Sequence, residues 1–117
     1  MKQVLQKLLY KGGVFKSYRG YTFFEEAVFL VYENPKRLFN IGKEVYLPIS
    51  LDHNTTTKVV EKDIRTIRDV FMRNNGIIIL KEMGYDFYHS RYPYPRELIE
   101  IFASYLNTLN QIPDITS

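Results

Sequence analysis

The stretch from Asp52 to Arg73, DHNTTTKVVEKDIRTIRDVFMR, concentrates the side chains whose types and spacing could do chemistry. Thr55, Thr56 and Thr57 supply hydroxyls and backbone amides of the kind that meet phosphate at a helix N-terminus. Lys58, Lys62 and Arg65 are donors, and Glu61 is an acceptor. On a helix advancing at about 100° per residue, Val60, Ile64, Ile67 and Phe71 fall within about 40° of one direction. Lys58, Glu61, Lys62, Arg65 and Asp69 fall on the opposite side, within an arc of about 100°. One face would dock on the body of the protein, and the other would present a mixture rich in cations.

Two readings fit that face. In the first it is a solvated surface, with Glu61 and Arg65 as an i,i+4 pair contributing about 0.2–0.5 kcal/mol. In the second it is the recognition helix of a helix-turn-helix, whose N-terminal turns meet base edges in the major groove. The side chains suit that task. Arg65 or Lys62 can donate to guanine O6 and N7, and Glu61 can accept from cytosine N4, each good contact discriminating by about 1–3 kcal/mol.

The rest of the chain must hold this helix in place. Its 117 residues fit one compact domain, and 45% apolar and 15% aromatic content is enough for a core. The absence of cysteine excludes a disulfide framework and a thiolate metal site, and suits a reducing cytoplasm. MKQVLQKLLY is too polar for a signal-peptide core, and no apolar run approaches the roughly 20 residues needed to span a bilayer. A net charge of +3 and a pI near 9.1 permit an anionic partner without demanding one.

The periodicities predict an all-α fold of about six helices in an orthogonal bundle. Residues 3–10 form a helix that stops at Gly12-Gly13, and a buried helix runs from Thr22 to the residues before Pro35. Leu38, Ile41 and Val45 share a stripe over 36–46. Pro48 either starts a short helix carrying Ile49 and Leu51 or kinks a continuing one. His53-Asn54 ends that segment, Thr55 is the natural N-cap of a helix running to about Asn74, and Gly76 is its stop. Residues 77–83 form a short helix, because a lone strand has no partner. Pro95 starts the last helix, 95–109, with Leu98, Ile99, Phe102, Leu106 and Leu109 inward. The organisation is one domain with its core at about 3–109 and a frayed tail at 110–117.

Other constellations carry less. His53 and His89 are the only imidazoles, too few for zinc, and no metal or cofactor is expected. Asp52 and Asp86 have no acid–base partner, and the glycines of 11–13 form no phosphate loop, so no enzyme is expected. YDFYHSRYPYPR (85–96) interleaves aromatics with Arg91 and Arg96. It either covers the core with Phe87 and some tyrosines, stacks unpaired bases, or meets a partner, with Arg91 or Arg96 supplementing backbone contact. FFEEAVFLVY reads as a core helix.

Three motifs in order resemble the C-terminal effector domain of the stage-zero sporulation response regulator A family. RGYTFFEEAVFLVY (19–32) is similar to its K-G-Y-x-[YF]-L-x-E-A-[IV]-x-x-V-Y helix. Asn54-Thr55-Thr56 with Val60, Glu61, Lys62, Ile64 and Arg65 resembles its N-T-T-x-x-x-V-E-R-x-I-R recognition helix. Pro93 with Glu97-Leu98-Ile99 resembles its last helix. The resemblance spans roughly 3–108 and implies a six-helix fold, duplex DNA binding at short promoter boxes, often by two copies in tandem, and base contacts from Glu61, Lys62 and Arg65. It also implies contact of about Asn75 to Tyr85 with the polymerase sigma subunit. Lys62 stands where the family has arginine, so a planar fork becomes a point charge. Val59 replaces a basic residue, Leu51-Asp52 a basic pair, and Pro48 sits one place late. These losses favour an alternative, a protein-interaction module derived from that domain, binding a sigma subunit or a related regulator with weak or no DNA binding. The sequence begins near this region, so a stand-alone effector domain or a trimmed one is expected.

Overall fold

The computed structural model of the protein describes residues 1–86 and 92–111. The expectations for Phe87, Tyr88, His89, Arg91 and the tail from 112 onward lie outside the described residues. Six α-helices follow one another: α1 (Lys2–Lys11), α2 (Tyr21–Glu33), α3 (Leu47–Asp52), α4 (Thr57–Arg73), α5 (Gly76–Glu82) and α6 (Pro95–Asn110). Among the described residues there is no strand, so the all-α expectation holds. No helix there is long and apolar enough to cross a membrane.

The core is built where α2, α4 and α6 cross. Phe102 takes the edge of Phe24 at 5.7 Å and of Phe71 at 5.5 Å between ring centres, an arrangement that aromatic quadrupoles favour. Leu5 and Leu9 of α1 and Leu98, Ile99 and Leu106 of α6 complete it, all fully buried. Leu109 lies only half-buried at the end of α6. α1 stops as expected, with the Val14 amide returning to the Leu9 carbonyl at 2.8 Å and Gly13 in the left-handed region at φ 77°. Pro95 opens α6, where the Glu97 carboxylate accepts from the Tyr94 amide at 2.8 Å.

Two expectations are corrected. Residues 36–46 are not a regular helix. Pro35–Asn40 is a tight 3₁₀ segment begun by Asn34, whose side chain accepts from the Lys36 amide, and Gly42–Tyr46 is a widened turn closed by Leu47 N–H to Gly42 O. A proline ring collides with the carbonyl four residues back in a regular helix, so a widened turn ahead of Pro48 lets α3 follow without a break. The predicted stripe survives: Leu38 and Val45 are buried, and Ile41 packs against the core. Gly76 does not merely stop a helix; it is the first residue of α5. A Cβ there would meet the Phe71 carbonyl oxygen at 2.5 Å, so only glycine permits that approach.

Candidate nucleic-acid interface

α3 and α4 form a helix-turn-helix. Ile49 and Ser50 anchor α3, Ser50 donating to the Leu47 carbonyl at 2.7 Å, while Leu51 and Asp52 face solvent. The chain reverses at Asn54, whose φ of 52° is left-handed, and the Thr55 amide closes on the Ser50 carbonyl at 2.9 Å. His53 clamps this turn to α2: its Nε2 lies 2.8 Å from Glu26 Oε2, and its ring stands edge-on to Phe23 at 5.0 Å. His53 also ends α3 as expected, its amide returning to the Ile49 carbonyl at 3.1 Å.

The cap of α4 is Thr56, not Thr55. The Thr56 hydroxyl accepts from the Val59 amide at 3.2 Å, which satisfies one of the unpaired N–H groups of the first turn. Thr55 is engaged by its amide in the turn, one residue too early to cap. Thr56 is exposed, and Thr55 and Thr57 are half-buried beside it.

Inward, Val60, Ile64, Ile67 and Phe71 are each 0% exposed, so the expected stripe anchors the helix. Outward, Lys58, Glu61, Lys62 and Arg65 are all exposed on one face. Among the described residues none of the four forms an ion pair, so Glu61 and Arg65 are not the intrahelical pair that the first reading required. Asp69 does not join that face freely; it is half-buried and accepts from Arg68 Nε at 2.6 Å.

Each flank of α4 holds residues that periodicity did not single out. On the α2 side, Asp63 is buried at 7% exposure and sits 3.4 Å from Arg19 Nε. On the α6 side, Arg68 donates to the Pro93 carbonyl at 3.0 Å, and Arg96 to the Leu38 carbonyl at 2.9 Å. Arg96 thus spends one donor on the protein while the residue stays exposed. Tyr46 lies beneath the same flank beside Glu61, Arg65 and Arg96, around a cavity of about 190 Å³. Burial and then the Glu61 carboxylate push its phenol up to about 12, partly opposed by Arg96 and Arg65. None of these long-range pairs has a local sequence signal.

A short anchored helix, a left-handed turn and a capped second helix with an outward face of unpaired donors and one acceptor define a helix-turn-helix, an architecture that many DNA-binding domains share. The model of the family described as sporulation initiation factor Spo0A C terminal matches residues 5–109, nearly the whole chain. The chain therefore belongs to that family, which at family level is the DNA-binding effector domain of a transcription regulator of sporulation and is not an enzyme.

Proposed function

We propose that the chain binds duplex DNA sequence-specifically as a single effector-like domain, with α4 in the major groove. Lys58, Glu61, Lys62 and Arg65 read bases, and Thr55, Thr56 and Thr57 meet phosphate. The observation that carries this reading is the outward face itself: four exposed, unpaired polar side chains on a helix whose opposite stripe is fully buried. A surface that served only stability would be expected to pair Glu61 with Arg65. The test begins with duplexes selected from a random pool. Arg65→Ala is expected to weaken the selected duplex about 10- to 100-fold, the equivalent of about 1–3 kcal/mol, and random duplex much less. Equal losses on both would remove base reading by Arg65.

A second reading has its own observation. α5 exposes Ile77 and Ile78 side by side, next to exposed Lys81 and Glu82. An apolar pair within a charged rim suits a protein partner such as the polymerase sigma subunit, reached in addition to DNA or in place of it. A second copy of the chain on a tandem site is the other partner this reading allows. Retention of the sigma subunit by the wild type, and its loss in an Ile77→Ser, Ile78→Ser variant that still binds duplex, would establish a separate protein-contact surface.

A further inference from the structure

We infer that Arg19, set against the flank of α4 by Asp63, grips a backbone phosphate and so fixes how the recognition helix lies along the duplex. The inference rests on the duplex-binding reading and adds a residue from outside the helix-turn-helix. At about 100° per residue, Asp63 lies one step around from Lys62, on the border between the outward face and the core stripe. A carboxylate at 7% exposure is costly unless a cation compensates it. Arg19 does so through Nε at 3.4 Å, yet its side chain remains 81% exposed. A guanidinium carries five N–H donors in a planar fork. With one edge turned to Asp63, the remaining donors stand in solvent beside α4.

The backbone fixes that placement. Gly20 follows Arg19 at φ 89°, and a Cβ there would lie 2.5 Å from the Asp63 carbonyl oxygen. The loop is therefore pressed on α4 at the residue that orients Arg19. Between them runs an open cleft of about 390 Å³, lined by Tyr18, Arg19, Thr22, His53, Thr55 and Val59, with Asp63 at its floor. The two carboxylates nearby are both engaged, Asp63 with Arg19 and Glu26 with His53. The part of the Arg19 guanidinium not turned to Asp63 is thus left to solvent. A helix seated in a groove about 12 Å wide has a phosphate strand along each flank. A cation on the flank meets that strand, not a base edge, so Arg19 contributes affinity and orientation without sequence preference.

The test measures binding of the full chain to a selected duplex and to a scrambled one by fluorescence anisotropy across a salt series. Arg19→Ala is expected to weaken both by the same factor, about 3- to 10-fold, and to make the slope of log K against log salt shallower by about 1. Arg19→Lys keeps the charge and is expected to keep the slope. Melting curves show whether each variant is folded, and Arg19→Gln, which retains the side-chain stem, replaces the alanine variant if that one melts early. Unchanged affinity and slope would overturn the inference and leave Arg19 as a structural partner of Asp63. A loss confined to the selected duplex would overturn it in favour of base reading. Failure of the wild type to bind any duplex would remove the underlying reading as well. Binding by the wild type with normal discrimination by Arg65, but no effect at Arg19, would remove only this inference.

Discussion

The flanks of α4 carry arginines employed in opposite ways. On the α6 side, Arg68 is 14% exposed and divides its donors between the Asp69 carboxylate and the Pro93 carbonyl, and Arg96 donates to the Leu38 carbonyl. These cations satisfy the protein's own acceptors. On the α2 side, Arg19 gives one edge to Asp63 and leaves the rest in water. A count of basic residues along the helix would treat the two flanks alike. Their hydrogen-bond partners separate a flank that braces the helix from one able to meet an outside anion.

The largest effect that would break this comparison is expected at Gly20. Gly20→Ala places a methyl against the Asp63 backbone in a left-handed conformation, and should lower stability by about 3 kcal/mol. Chemical denaturation measures it; a change below about 0.5 kcal/mol would mean the loop is not pressed on α4. Next is Arg68→Ala, which strips donors from a half-buried carboxylate and a carbonyl. It should lower stability by about 2 kcal/mol while leaving the salt slope of duplex binding unchanged. A shallower slope would place Arg68 on DNA and erase the distinction between the flanks.

The threonine triplet gives a smaller contrast and shows where local sequence stops being informative. Thr56→Ala should cost about 1 kcal/mol through the lost cap, and Thr55→Ala less, with both read by thermal denaturation. Three adjacent residues of capping type cannot reveal which one caps. That choice is made by the turn, where Asn54 and the Thr55 amide already close on Ser50. The inward stripe of α4 was legible because burial repeats with the helical period. The exposed set Lys58, Glu61, Lys62 and Arg65 followed from the same geometry. Asp63 was not legible, since its partner Arg19 comes from a distant loop and a flank position looks polar whether buried or free. The widened turn at Gly42–Tyr46 was missed for a related reason: the Leu38, Ile41 and Val45 spacing is satisfied by more than one helical pitch. Gly76 reads as punctuation in the sequence because a close approach to the Phe71 carbonyl leaves no trace beside the glycine itself.

The smallest effect at neutral pH is expected at Tyr46, on the bracing flank. Its phenol is raised from 10.0 to about 12, first by burial and then by the Glu61 carboxylate. A folded-state value above the unfolded one means that the neutral phenol's contribution is complete below about pH 10 and lost as pH rises through 12. Tyr46→Phe should therefore change stability by less than about 1 kcal/mol at pH 7. Above pH 10 the variant should lose stability more slowly than the wild type, because one buried phenol no longer has to ionise next to Glu61. Paired denaturation curves between pH 9 and 12 isolate this difference from the other tyrosines, which both proteins share. Parallel curves would mean that the phenol ionises as easily in the folded chain as in the unfolded one. Tyr46 would then be solvated rather than packed beneath Glu61 and Arg65, and the bracing flank would end at Arg68 and Arg96.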